Sequence, residues 1–184
     1  MNSEYIRAME DTYNLFTQAN NESIAVWLEY AFLSWRWWLG LSLSIIPWVV
    51  WLIFRRKESS DRILYAGLFV MLISSWFDIL GILFGLWSYY YSVVPFSPAF
   101  IPWDFTLLPV IIMFLLQLKS QISPMIKAVA LSTFSCFIVE PGFVMIGLYN
   151  PKNWKFIYSF PIIIAIYLIS DRISKRQNFE KLLK

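Results

Sequence analysis

The run from Trp37 to Phe54 holds eighteen consecutive residues without a charge, close to the ~20 that a helix needs to cross a ~30 Å hydrocarbon core. Four further apolar runs follow at about 63–83, 102–118, 125–146 and 154–170. Backbone in hydrocarbon has no water to bond to, so runs of this length fold as helices or not at all in lipid. The pattern predicts an all-α polytopic integral membrane protein: a bundle of about five transmembrane helices over residues 36–171. The composition agrees, because 15% charged residues fall well short of the ~25% usual in a soluble domain. Aromatics at 20%, ten of them Trp, suit a protein with two interfaces to anchor.

Residues 1–35 read as an extracytoplasmic or interfacial arm. Ile6, Met9, Tyr13, Leu15 and Phe16, among Glu4, Glu10, Asp11 and Glu22, predict a short amphipathic helix broken at Asn20-Asn21. An interfacial helix from Ile24 to Trp35 then leads into the membrane. The first 23 residues lack the basic start and apolar core of a secretory signal, so targeting is expected from the first span. Residues 172–184 form a basic tail.

Five spans put the termini on opposite sides. Eleven basic residues (Arg55, Arg56, Lys57, Arg62, Lys119, Lys127, Arg172, Lys175, Arg176, Lys181, Lys184) fall on one side, and Arg7, Arg36, Lys152 and Lys155 on the other. By the positive-inside rule the N-terminus is outside and the C-terminus cytoplasmic. The net charge of +3 follows this topology and is no signal for nucleic acid.

The chemistry sits in acids within the apolar runs, since an ionised carboxyl in hydrocarbon costs a few kcal/mol or more and is kept for packing or function. Asp78 shares one helix face with Ser74, Gly81 and Gly85, at spacings of four, three and four. Gly81 and Gly85 make a small-xxx-small pair for helix packing, against another membrane protein or a second copy. Asp104 falls in the first turn of the run opened by Pro102, where complementing the helix dipole is its rival role. Glu140 precedes Pro141-Gly142 and follows Ser132 and Cys136 at steps of four. That Pro predicts either a simple kink or a broken helix beside an acid. At ~1.5 Å per residue, all three acids lie in the outer half. Arg36, on a face with Gly40, Ser44 and Pro47, either points inward to them or snorkels to headgroups.

Between the second and third runs, residues 84–100 hold Trp87, Tyr89, Tyr90, Tyr91, Pro95, Phe96, Pro98 and Phe100 without a charge. With Trp103 they read as an interfacial belt or, alternatively, as a lid over the mouth of the bundle.

Trp35-Arg36-Trp37-Trp38, Pro47-Trp48, Arg55-Arg56-Lys57 with Arg62, Asp78 with Gly81 and Gly85, Trp87, then Pro102, Asp104 and Pro109 stand in an order that resembles a family of small uncharacterised multi-pass membrane proteins of spore-forming Gram-positive bacteria, of Bacillus and Clostridium type. The resemblance implies a bacterial plasma-membrane location and no catalytic role. Glu140 lies beyond it.

With no His and one Cys, Cys136, an intramolecular disulfide, a Cys/His zinc site, a His-ligated haem and a His-based triad are excluded. No cofactor is evident, and no residue is assigned a catalytic role. A retinal protein is disfavoured, since no lysine stands within a span for the Schiff base. The function expected is binding or transport of a cation, proton or small ligand at Asp78, Asp104, Glu140 and Arg36. The alternatives are a structural subunit of a membrane complex and, behind it, an intramembrane enzyme acting on a lipid or isoprenoid. The metal, if any, is not defined by these residues.

Overall fold

The computed structural model describes residues 3–95, 99–118 and 121–176. Phe96, Pro98, Lys119, Lys181 and Lys184 lie outside the described residues. Among the described residues there are six helices: α1 Ser3–Val26, α2 Trp35–Phe54, α3 Ser60–Leu83, α4 Pro102–Gln117, α5 Pro124–Met145 and α6 Phe156–Ser174. Four of them (α2, α3 with its preceding turn, α5, α6) are long and apolar enough to cross a membrane. The third apolar run gives a shorter helix, α4, of 16 residues, about 24 Å at the α-helical rise.

Successive helices reverse direction and leave two unlike ends. At the basic end lie the turns after α2 and α4 and the C-terminus of α6. There the Arg56 N–H donates to Gln117 Oε1 at 2.7 Å, and the Lys127 ammonium donates to the Leu115 and Leu118 carbonyls at 2.9 and 3.0 Å. A buried lysine thus closes the C-terminus of α4 from the neighbouring helix. The core between α3, α4, α5 and α6 is aliphatic, built on Val70, Leu108, Ile112, Leu131 and Ile166. Trp51 packs with Ile63, Val110 and Met113 in a second cluster.

The other end is aromatic and highly cross-linked. α3 and α5 both finish on a glycine in the left-handed conformation, Gly85 (φ 65°) and Gly147 (φ 75°). In each, the two residues from that glycine onward bond back to the last turn: Gly85 N to Ile82 O and Leu86 N to Gly81 O, Gly147 N to Val144 O and Leu148 N to Phe143 O. This is the Schellman arrangement, and it redirects both chains across the bundle end. The strands that follow, β1 Ser88–Tyr89 and β2 Tyr149–Asn150, pair antiparallel. Trp27 Nε1 donates to Ser92 O, Trp37 Nε1 to Val93 O and Trp48 Nε1 to Phe105 O, at 2.7–3.0 Å, so tryptophans expected as interface anchors also bracket the backbone of their neighbours.

Three expectations need correction. α1 runs through Asn20-Asn21 unbroken. Asn is only a weak helix breaker, and the Gln18 amide donates to Glu22 across that turn at 2.9 Å. None of α1 is buried. Helix α5 continues past Pro141 because the turn before it widens: Ser135–Val139 is π-helical, with Glu140 N bonded to Ser135 O, a form that accommodates local strain within a helix. The same device, Pro102–Leu107 ahead of Pro109, opens α4. Finally, Gly81 and Gly85 do not share a docking face. A Cβ on Gly81 would fall inside the indole of Trp87 from the same chain, and Gly85 lies beyond the end of the helix.

Candidate functional site

Asp78 is 4% exposed and Asp104 2%, and both carboxyls face the start of α4. Asp78 Oδ1 accepts from Trp87 Nε1 and from the Tyr89 hydroxyl, each at 2.8 Å. Its Oδ2 accepts from the Phe100 N–H at 2.8 Å, which is shared with Asp104 Oδ2 at 3.1 Å. The two carboxyls thus converge on a single N–H. Ser74 Oγ, one turn below Asp78, donates to the Asp104 carbonyl at 3.2 Å. Residues 84–95 and 99–100 therefore fold over the bundle end, with Trp87, Tyr89 and Phe100 docked on Asp78. The local cause is Gly85, whose left-handed φ turns the chain back within three residues of the helix end.

Rings close the space around the acids. Tyr89 stacks on Phe100 with centroids 4.4 Å apart and planes 3° apart, and leans on Tyr149 at 5.3 Å. Phe143 meets Phe100 and Trp103 edge-on, and Trp87 meets Trp154 edge-on at 4.9 Å. Under these rings is a cavity of about 100 Å³, lined among the described residues by Asp78, Asp104 and Glu140 and by no Lys or Arg. At ~30 Å³ per water, it has room for a few waters or one small ion. All three acids reach it, from α3, α4 and α5.

They are not equivalent. Asp78 has its lone pairs taken by three donors, whereas Glu140 Oε2 is buried with no partner among the described residues. The other side of Glu140 meets Ser159, whose hydroxyl accepts from Trp154 Nε1 at 3.0 Å. One and two turns further toward the basic end, Ser135 Oγ and Ser132 Oγ are buried and likewise unpartnered, as is the Tyr167 hydroxyl on α6. Buried polar groups without protein partners are the places where ordered water sits. Among the described residues, no three carboxyl or thiol groups converge closely enough to hold a metal ion.

Arg36 stands apart from the acids. Its Nε donates to Ile146 O at 2.7 Å and its NH1 to the Tyr91 hydroxyl at 3.4 Å, with the guanidinium over the rings of Trp35 and Tyr91. It ties the turn after α5 to α2. Tyr91, held there at φ 55°, is a strained non-glycine position fixed by this contact. Tyr90 faces outward and accepts from the Asn150 amide at 2.8 Å. Of the proposed mouth residues, Trp87, Tyr89 and Trp103 line the cavity; Tyr90 and Tyr91 are not among its lining. Sequence reasoning missed the Phe100 N–H, Phe143, Tyr149, Trp154 and Ser159. Phe143 carried one signal, standing three residues after Glu140 on the same helix face.

Burial, and then the Asp78 and Asp104 carboxyls, push the Tyr89 phenol well above its ordinary 10.0. Tyr149 is raised by burial and by Glu140 and Asp78. Both phenols stay protonated in the folded protein after they would ionise in the unfolded chain. Their contribution is complete below the unfolded value of about 10 and is lost as pH rises above it toward the folded values. In an alkaline absorbance titration near 295 nm the exposed tyrosines should ionise first, and Tyr89 and Tyr149 only together with unfolding. Reversible ionisation of every tyrosine near pH 10, with the fold intact, would contradict the enclosure of these rings.

Fold and site together define a class: a helical protein with four helices long and apolar enough to cross a membrane, capped at one end by aromatic segments over an acid-lined cavity. The chain matches no protein-family model, no curated protein and no solved structure.

Proposed function

We propose that the chain is a multi-pass protein of the plasma membrane, with five spans, N-terminus outside and C-terminus cytoplasmic, whose aromatic-walled cavity binds a small cation at Glu140. The observation that carries the reading is the unpartnered Glu140 oxygen in a cavity with no basic residue. A carboxyl removed from water needs a counter-charge or a proton, and among the described residues the lining offers no basic side chain. The ring faces and edges around it suit a compact organic cation or a partly hydrated monovalent ion. Asp78 and Asp104 serve chiefly to hold the cover in place. The resemblance to multi-pass membrane proteins of spore-forming bacteria and the distribution of basic residues support the membrane placement; the cavity supports the binding.

The test is titration of the purified protein in detergent micelles with tetramethylammonium, and separately with sodium and potassium, read by tryptophan fluorescence. Glu140→Gln, which keeps the shape and removes the charge, is expected to weaken binding of the favoured cation at least tenfold while leaving the melting midpoint within a few degrees. Equal binding by wild type and variant, for all three cations, would remove Glu140 from the site. The subunit reading gains support from one feature, helix α1, none of whose residues is buried; retention of a partner by full-length protein and its loss on removing residues 3–26 would favour it.

A further inference from the structure

We propose that the groove at the basic end, opposite the acid cavity, is a binding site for the phosphate-bearing headgroup of an anionic phospholipid. The groove has a volume of about 630 Å³ and opens between the ends of α3, α4, α5 and α6. Four basic side chains line it, Arg56, Arg62, Lys127 and Lys175, against one acid, Asp171. Two of the four are already committed. Lys175 is paired with Asp171 at 2.6 Å, and Lys127 spends its ammonium on the Leu115 and Leu118 carbonyls.

Arg56 and Arg62 are different. Neither guanidinium has an ion pair among the described residues, and the backbone of Arg56 is fixed at the groove by Gln117. Glu58 and Asp61 stand on the same turn but do not line the groove. Two guanidinium forks lining the same groove match a phosphate, which each can grip in bidentate fashion, and Ser59 and Gln121 add further polar groups.

The rim selects among phosphates. Leu118 and Ile122, 53% and 43% exposed, lie beside the charged wall and offer apolar surface that a free phosphate ion would leave wet. An acyl chain would cover it. A choline or ethanolamine headgroup brings its own cation into a basic groove and is disfavoured, whereas a glycerol or serine headgroup keeps net negative charge. Basic pockets between helix ends at the cytoplasmic face are where such lipids are held. The inference rests on the membrane placement proposed above and not on the acid cavity.

The experiment is native mass spectrometry of the full-length protein released from detergent, titrated with dihexanoyl phosphatidylglycerol, dihexanoyl phosphatidylcholine and inorganic phosphate. Wild type is expected to retain the phosphatidylglycerol at least tenfold better than the phosphatidylcholine. The double variant Arg56→Gln/Arg62→Gln should lose that preference, while Lys57→Gln, at the same end of the bundle but outside the groove lining, keeps it. Both arginines are exposed, so the double variant is expected to fold, and its melting curve in detergent checks this. Equal retention of the two lipids, or an unchanged preference in the double variant, would overturn the proposal. Displacement of phosphatidylglycerol by equimolar inorganic phosphate would also overturn it, in favour of a free phosphate compound. Failure of the membrane placement is read separately, as a protein that stays monomeric in buffer without detergent.

Discussion

Replacing Asp78 with Ala should cost about 4 kcal/mol of stability, because buried donors left without an acceptor cost roughly 1–3 kcal/mol each. Trp87 Nε1 and the Tyr89 hydroxyl would lose their acceptor outright, while the Phe100 N–H would keep Asp104 Oδ2 at 3.1 Å. Asp78→Asn should cost about half as much. Its amide oxygen still serves one pair of donors, but its NH2 then faces a donor. The expected signature is local as well as global: the Phe100 amide and the Trp87 indole N–H should exchange with deuterium much faster, with the protection at Ala128 and Leu131 in the core little changed. A loss below ~1 kcal/mol in denaturation from detergent micelles, with exchange unaltered, would mean that Trp87, Tyr89 and Phe100 do not hang on this carboxyl.

The second large effect is expected at Gly81. A methyl group there collides with the six-membered ring of Trp87, and that ring has no easy retreat: its Nε1 is bonded to Asp78 and its edge packs on Trp154. Gly81→Ala should cost about 3 kcal/mol, the upper part of the usual range for overpacking. Gly81→Leu should expel the indole and open the cavity wall. Because Trp87 carries the clash, the two sites must be coupled. In a Trp87→Leu background the cost of Gly81→Ala should shrink by more than about 1 kcal/mol, as a double-mutant cycle measures. Additive costs would place the ring elsewhere.

These two residues also show where the sequence was legible. Charge-free length is a local property, so α2, α3 and α5 begin and end within about three residues of where the hydropathy put them, and the acids at Asp78, Asp104 and Glu140 stood out by cost alone. Their shared cavity was consistent with a depth estimate that needs only the helical rise. The rest depends on partners far along the chain. Gly81 has helix-packing spacing, yet the group it admits is a side chain six residues on, brought back by the turn at Gly85. Asp78 stands out as an acid kept for packing or function, but its partner Phe100, 22 residues away, does not. Arg36 does lie on the inward face with Gly40, whose added Cβ would meet Val93 and Pro102, but a guanidinium at a helix end reaches a full turn beyond its Cα, and here it found the carbonyl of Ile146. Trp154, expected as the first residue of the last span, precedes α6 and walls the cavity instead. Ser132, Cys136 and Glu140 were aligned on the assumption of an unbroken α-helix, and the wide turn between them invalidates that alignment.

That wide turn makes residue count itself part of the cavity wall. Each π turn holds one residue more than the α-helix needs, so everything past it is rotated by about 100° relative to a regular helix. Deleting one residue within Ser135–Val139 would leave the helix apolar, only one residue shorter than its 22 and with Glu140 still in it, and still swing Glu140 away from Ser159 and Trp154. Indels, ordinarily absorbed by loops, would here be transmitted as torque, and the helix that looks most tolerant of a one-residue change is the one that could least accept it.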